Sequence, residues 1–300
     1  MRPDFPAVID SSLIAAFRSC PERARLEFFE HWKPATPSVH LHAGAAYAAG
    51  LEAARRAYYE RNESVADSEA AGLAALMRYY GDFECPPDSP KSLERMAGAL
   101  EYYFEKYPLD DDRATPVVLP GGKRAIEFSF SEPIDIAHPV TGDPLLYCGR
   151  MDMAVDMENL VLGLDDKTTS QLGASWPRQW DLRSQFTGYV WGGARGGLKL
   201  NGFLVRGVSI LKTKYDTLQA ITYRPDWQID RWYTQLLRDV QRMISCWETG
   251  YFDLNLDHAC TEYGGCLFRS VCLMQSPETL LEQQFQRRRW DPVTRTETLL

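Results

Sequence analysis

The chain has 300 residues, 45% hydrophobic and 12% aromatic, which suits one large domain or two smaller ones and excludes a disordered chain. A formal net charge of −8 excludes general long-range attraction to nucleic acid, so polynucleotide binding needs a local basic patch or a bridging cation. No apolar run approaches the roughly 18 residues of a membrane span, and "MRPDFPAVIDSS" lacks a signal peptide's apolar core, so a cytoplasmic, reducing setting without a membrane partner is expected, where seven cysteines are not readily explained as disulfides.

From the N-terminus, "SSLIAAFRSCPERARLEFFEHW" reads as a helix capped by Ser11 or Ser12, with Leu13 and Phe17 on one face, broken and restarted at Pro21. "TPSVHLHAGAAYAAGLEAARRAYYERN" is Ala-rich and reads as helix from about His42 to Asn62. Two more helices follow, Asp67 to Tyr80 and Ser92 to Lys106, separated by "GDFECPPDSP". Strand character begins near Val117. "AIEFSFSEPI" alternates, and "LLYCGRMDMAVD" and "LVLGLDDKTT", joined by "MEN", read as an antiparallel hairpin. "DLRSQFTGYVWGGARG" suits a helix ending at Gly192–Gly193, and "GFLVRGVSILKT" another strand. A long helix follows, with Trp232, Leu236 and Val240 spaced for burial and Gly250 as its stop. The C-terminal segment carries "HACTEYGGCLFRSVC" and then a polar helix containing "RRR".

The hairpin raises a chemical question. With Glu158 and Asn159 as its turn, Met157 opposes Leu160 and Asp152 falls opposite Asp165. Directly opposed side chains lie about 4.5–5.5 Å apart at Cβ, and two bare carboxylates at that separation repel. A divalent cation removes the conflict, because hard oxygen ligands suit Mg²⁺ or Mn²⁺. Lys167 is two residues beyond Asp165 and shares its face, while Asp166 points the other way. The implied chemistry is metal-assisted phosphate-ester hydrolysis. Asp152 and Asp165 hold a cation that activates water and polarises a phosphoryl oxygen. Lys167 positions the water or stabilises developing negative charge, and Glu127 supplies a further metal contact. The bland alternative is a solvated strand end. Downstream, Gln185 and Tyr189 are four apart on one helical face, and both can hydrogen-bond phosphate or the attacking water. Taken singly, each reads first as a packing or surface residue.

Cys260, Cys266 and Cys272 stand as C-x₅-C-x₅-C, with Cys20 about 240 residues away. Four thiolates suit a [4Fe–4S] cluster or Zn²⁺; unrelated buried cysteines are the third reading. A shared site would tie the chain ends together and constrain the unfolded chain. Cys85, Cys148 and Cys246 read as packing cysteines. Arg287, Arg288 and Arg289 form the densest basic run, which suits a polynucleotide backbone or a solvated helix face. Arg150 and Lys199 are candidate phosphate contacts. Trp176 and Trp180 flank Arg178, which suits base stacking in a single strand or a place in the core.

Together "GRMD", "DDK" and "QFTGY" resemble the core motifs of the PD-(D/E)XK nuclease superfamily, in its RecB-like and Cas4-like exonuclease branch. The resemblance spans roughly Ser11 to Cys272 and falls on Gly149, Asp152, Asp165, Lys167, Gln185 and Tyr189, with Asp166 as the intervening residue. It implies an α/β fold with a restriction-endonuclease-like core, a mixed central sheet flanked by helices. Residues 1–115 would form an N-terminal helical region carrying the first cluster cysteine, and 116–250 the nuclease core. Residues 251–300 would form an iron–sulfur segment and polar helix packed with the N-terminus. The implied activity is metal-dependent DNA exonuclease, using Mg²⁺ or Mn²⁺ on DNA that is single-stranded or has free ends. The implied setting is prokaryotic or phage recombination and repair, with a homo-oligomer or a recombination protein as partner. The branch often holds a [4Fe–4S] cluster with one N-terminal and three C-terminal cysteines, and "SCPERARLEFF" resembles its first-cysteine motif. Cys266 and Cys272 match its last pair, while the gap after Cys260 is longer than usual and His258 is a rival ligand. The family's G-x-x-x-H-x-x-L-E helix appears as "GAAYAAGLE": Gly44, Leu51 and Glu52 match, Ala48 stands where a metal-binding His is expected, and His42 lies six residues earlier. That departure supports an alternative, a non-catalytic DNA-binding or recombination-complex assembly protein that keeps the nuclease scaffold.

Overall fold

A computed structural model describes residues 3–261 and 265–300. In chain order the elements are β1 (Val8–Ile9), α1 (Ser11–Ser19), α2 (Pro21–Ala24) leading into a π-turn over Arg25–Phe29, β2 (Trp32–Pro34), α3 (Val39–Tyr59), α4 (Val65–Tyr80) and α5 (Leu93–Lys106). There follow β3 (Thr115–Pro116), β4 (Ile126–Ala137), β5 (Pro144–Met157), β6 (Leu160–Thr169), a 3₁₀ turn over Pro177–Trp180, α6 (Ser184–Arg195), β7 (Gly202–Ile210) and β8 (Tyr215–Tyr223). The chain closes with α7 (Asp226–Thr249), α8 (His258–Thr261), α9 (Arg269–Cys272), α10 (Glu278–Gln284), β9 (Phe285–Asp291) and β10 (Thr296–Leu299). Among the described residues no helix is long and apolar enough to cross a membrane.

Two compact units result. One comprises Pro37–Ser129 and Arg150–Asp226; the other comprises Met1–Thr36, Phe130–Gly149 and Trp227–Leu300. The first is a mixed α/β unit with a central sheet. Its strands run in the order β5 (from Arg150)-β6-β7-β8, with β3 also paired to β5. The β5–β6 and β7–β8 pairs are antiparallel and β6–β7 is parallel. Parallel neighbours need a crossover, and α6 supplies it.

Period-two alternation sorts the sheet's side chains between two helical layers. On one face, Val208 and Ile210 of β7 join a core with Ala43, Tyr47 and Leu51 of α3, Leu76 of α4 and Met96, Leu100 and Tyr103 of α5. On the other face, Phe203 of β7 stacks on Phe186 of α6, with centroids 4.5 Å apart and planes 9° from parallel. Gly163 of β6 makes that stack possible, since a Cβ there would sit 2.3 Å from Phe203 Cζ.

The hairpin turn is Glu158–Asn159, both with positive φ, 54° and 70°. Two such residues make the primed turn whose twist matches paired strands. Asp156 helps by accepting the Asn159 N–H at 3.2 Å. The turn sets the register Met157↔Leu160 through Met153↔Leu164, as the sequence leads one to expect.

In the other unit, β1 runs parallel to the start of β5, pairing Val8 with Leu146. A separate antiparallel sheet has the order β10-β9-β2. Its core is Phe268 stacked on Phe285, with Leu26, Val271 and Leu281 around them.

Four sequence expectations change. The cap of α1 is Asp10, whose backbone is extended and whose carboxylate accepts the Leu13 N–H at 2.8 Å, so Ser11 and Ser12 are already helical. Helix α6 continues through Gly192–Gly193 to Arg195; a Cβ on Gly193 would stand 3.0 Å from the Leu198 carbonyl oxygen, so this glycine serves close packing. Strand β8 is additional to the expected elements. The "RRR" run lies on β9, where pairing of Arg287 with β2 and of Arg288 and Arg289 with β10 overrides its polar composition.

Gly163→Ala should destabilise the protein by about 1–3 kcal/mol through overpacking against Phe203. The measurement is urea-induced unfolding; an unchanged midpoint would contradict the packing described.

Candidate functional site

The β5–β6 ladder ends at Met153↔Leu164, one step before Asp152 and Asp165. There the Asp152 side chain replaces a strand partner: its Oδ2 accepts the backbone N–H of Asp166 at 2.9 Å. Asp165 is 3% exposed and pairs with the Lys167 ammonium at 2.5 Å on the same face. Glu127 enters from the start of β4 with φ at +55°. That conformation costs a non-glycine residue about 1–3 kcal/mol and gathers at functional sites. The Glu127 carboxylate is buried and ion-paired with Arg150.

Electrostatics tie these groups together. Burial, then Asp165 and Glu127, push the Asp152 carboxyl up to about 8, with Lys167 opposing. Burial also raises Asp165, again against the pull of Lys167. Burial disfavours the Lys167 ammonium, but Asp165 and Asp152 outweigh it and hold the group above the ordinary lysine value. On α6, Gln185 Nε2 donates to the Tyr189 hydroxyl at 3.0 Å. Burial pushes Tyr189 up to about 12, opposed by the Gln185 hydrogen bond, and the carboxylate of Asp165 raises it further. The structure thus brings Glu127, Asp152, Asp165, Lys167 and Tyr189 within electrostatic reach of one another, with Gln185 hydrogen-bonded to Tyr189.

Asp166 takes the opposite face. Its Oδ2 meets Arg55 Nη2 at 2.6 Å, with both side chains 4% exposed or less. The same Arg55 nitrogen donates to the Tyr103 hydroxyl at 2.8 Å, which also accepts from Arg206 at 3.1 Å. Arg206 forms a two-point pair with Asp112 at 2.6 and 2.7 Å. This buried network fixes the strand that carries Asp165 and Lys167. Nearby, buried Lys91 donates to Thr168 at 3.0 Å, and burial lowers its pKa.

Several sequence candidates fall elsewhere. Ala48 is exposed on α3, while Gly44 of that helix lies beside Thr168. His42 stacks on Phe83 at 4.1 Å and its Nε2 meets the Tyr80 carbonyl, so it occupies an aromatic packing site. Trp176 and Trp180 are both buried and meet edge to face at 5.3 Å, which overturns base stacking for either. Arg150 is engaged by Glu127, and Lys199 is exposed between α6 and β7. Arg183 went unread in the sequence; it precedes α6 and lowers the pKa of Asp165. Its signal was a cation two residues before Gln185. The role of Arg55 had no local signal, because its partner lies 111 residues away.

In the other unit, Cys20, Cys260, Cys266 and Cys272 line one small cavity with Arg23, Leu254, Phe268 and Arg269. All seven cysteines of the chain are free thiols. Cys20 sits at the α1–α2 junction, where its sulfur accepts the Asn255 N–H at 3.5 Å. Burial pushes Cys272 up to about 11, and Glu22, Cys266, Cys20 and Cys260 add to the effect. His258 is exposed and does not line the cavity. Cys148 and Cys246 are buried, whereas Cys85 is partly exposed.

Among the described residues no three or more His, Cys, Asp or Glu side chains are gathered as a group that could hold a metal ion. The donor chemistry fits two groups all the same. Asp152, pushed up to about 8 by burial and then by Asp165 and Glu127, and Asp165, raised by burial, offer the hard oxygen donors that suit Mg²⁺ or Mn²⁺. Four sulfurs around one cavity are the donor type an iron–sulfur centre uses.

No protein-family model matches the sequence, and no curated protein matches it. Among solved structures, the chain is similar to a protein from Eubacterium rectale described as "Putative exonuclease". Identity is 13%, over 86% of this chain and 88% of that one, with a TM-score of 0.47. It is also similar to SSO0001, at 14% identity over 75% of this chain and 84% of that one, with a TM-score of 0.31.

Arg55→Ala should destabilise the protein by about 3–5 kcal/mol, because it leaves Asp166 buried without its counter-charge. Chemical denaturation measures this; a loss below about 1 kcal/mol would contradict the network.

Proposed function

We propose that the chain is a metal-dependent deoxyribonuclease, an exonuclease of the RecB-like and Cas4-like PD-(D/E)XK branch with a restriction-endonuclease-like core. The observation that carries this reading is the buried Asp152–Asp165 pair with Lys167 beside it, next to Gln185 and Tyr189. Asp152 braces β6 through the Asp166 N–H, but that bond does not call for a second carboxylate beside it, whereas metal-assisted hydrolysis of a phosphodiester does.

Asp152 and Asp165 would hold Mg²⁺ or Mn²⁺, with Glu127 as a third oxygen donor. When bound, such a cation supplies an activated water and polarises a phosphoryl oxygen. The Lys167 ammonium remains charged at neutral pH, so it donates hydrogen bonds to the attacking water or to the phosphate as negative charge develops. Tyr189 stays protonated and can donate to a phosphate oxygen while Gln185 orients it. Burial of Asp165 strengthens each of these interactions by excluding water. Cys20, Cys260, Cys266 and Cys272 would hold a [4Fe–4S] cluster as a structural clasp. DNA with single-stranded or free ends is the proposed substrate, in a recombination or repair setting.

A second reading is a DNA-binding or assembly protein that keeps the scaffold without cutting. Exposed Ala48, at the position of the family's metal-binding His, favours it. The discriminating assay is Mn²⁺-dependent digestion of end-labelled single- and double-stranded DNA. Lys167→Ala should lower cleavage by at least about 10²-fold while the cooperative thermal melt is retained. Equal cleavage by the variant would remove the catalytic assignment, and no cleavage by the wild type would favour the second reading.

The cluster has its own test. Anaerobically prepared protein should carry about four irons per chain and absorb broadly in the visible. Cys20→Ser should lose both, and iron-free wild type would overturn the assignment.

A further inference from the structure

The middle strand of the small sheet presents more cations than sheet architecture requires. β9 pairs with β2 over Phe285–Arg287 and with β10 over Arg288–Asp291, so protection of a free sheet edge accounts for a cation at Arg289 but not for a second one, Arg287, on the same face. Arg287 and Arg289 are two residues apart, hence on one face and about 7 Å apart along the strand, and both are exposed. Arg288 points to the opposite face, where it meets Glu297 at 3.7 Å. Among the described residues no ion pair at that range is formed by Arg287 or Arg289. The carboxylate that follows on their face, Asp291, accepts the Val293 N–H at 2.8 Å, which lowers its pKa; Arg289 helps to lower it, but the two make no ion pair within 4 Å.

Other groups concentrate the positive potential. Arg287 lies over the Trp32 ring, 4.7 Å from its centroid, directly across the strand pair. The His31 carbonyl accepts the Arg288 N–H at 2.8 Å, which fixes the start of β2 against β9. Burial lowers the His31 pKa, and Arg289, Lys33 and Arg287 lower it further, against a weak opposing pull from Asp4. Lys33 itself is engaged by Glu27 at 3.0 Å. On the far side of Arg289 stands Thr298 of β10, a hydroxyl donor on the same face. A chain of net charge −8 therefore gathers two arginines without a close ion pair, an aromatic ring and a hydroxyl on one open sheet face.

We infer that this face of β2, β9 and β10 is a binding surface for single-stranded DNA. Arg287 and Arg289 contact backbone phosphates, and the Arg287–Trp32 pair offers a flat surface on which a base stacks. The inference rests on the nucleic-acid reading above, but it concerns residues outside the Asp152–Asp165–Lys167 set.

The test is fluorescence anisotropy with a labelled oligothymidine of roughly 20 nucleotides, in EDTA so that no cleavage occurs. Wild type should bind with a salt-dependent affinity. R287A/R289A should bind about tenfold more weakly, and its log–log salt slope should fall by about 1.4, the value for two single-strand phosphate contacts. R287K/R289K should keep the slope while losing affinity, since it keeps the charge and removes the stacked plane. R289E alone supplies the same reading if the double alanine variant does not fold. Unchanged affinity in R287A/R289A and R289E overturns the inference, as does wild-type protein that does not bind the oligonucleotide. So does polyglutamate that displaces the oligonucleotide equally well at equal charge. Loss of Mn²⁺-dependent cleavage in K167A with unchanged binding in R287A/R289A would leave the nuclease reading standing without this surface. The reverse pattern would leave the surface standing without the nuclease.

Discussion

The alternation of β6 is the constraint on which the candidate site depends. Adjacent residues of a strand must face opposite ways, so Asp165 and Asp166 cannot share an environment. Each carboxylate then needs its own cation in a separate layer. Asp165 finds Lys167 on the α6 side, and Asp166 finds Arg55 on the α3 side. The strand is thereby gripped from both faces. Asp152 adds a third hold by taking the backbone N–H of Asp166. A site that must keep crowded carboxylates in place has to be braced beyond the carboxylates themselves, and Arg55, Tyr103 and Arg206 supply that brace.

The two charge pairs on β6 differ in kind. Arg55 and Asp166 are sealed in the helical layer and bonded to further partners, so they behave as a fixed structural link. Lys167 is about a third exposed, with its stem along the sheet and its ammonium reaching Asp165. A partly open lysine can exchange one partner for another, which a sealed arginine cannot. That contrast is expected when one face of a strand serves architecture and the other serves chemistry.

Much of this arrangement was legible in the sequence, for physical reasons that can be named. The Glu158–Asn159 turn is short enough to fix the hairpin register, and register with period-two alternation assigns Asp152, Asp165, Asp166 and Lys167 to their faces. The spacing of Gln185 and Tyr189 follows from the helical repeat in the same way. Non-local pairing was not legible. Arg55 looks like any surface cation of a helix until Asp166 reaches it, and Glu127 looks like any alternating strand residue until its backbone is seen in the left-handed region. The arginine run on β9 was misread as helical because its composition is polar, while its conformation is decided by β2, some 250 residues earlier. Asp10 displaced Ser11 and Ser12 as a cap because the choice among adjacent capping residues turns on where the chain first becomes helical, which composition does not reveal.

The cysteine-lined cavity draws on both ends of the chain, with Cys20 on one side and Cys260, Cys266 and Cys272 on the other. Proteins are made from the N-terminus onward, and early segments begin to fold before later ones exist. Cys20 therefore leaves the ribosome well before its three companions and waits as a lone thiol while residues 37–226 are synthesised. A chain stopped after α7 keeps every residue of the carboxylate site but cannot close this cavity. The unit that holds Cys20 is completed only after every residue of the carboxylate site has been made.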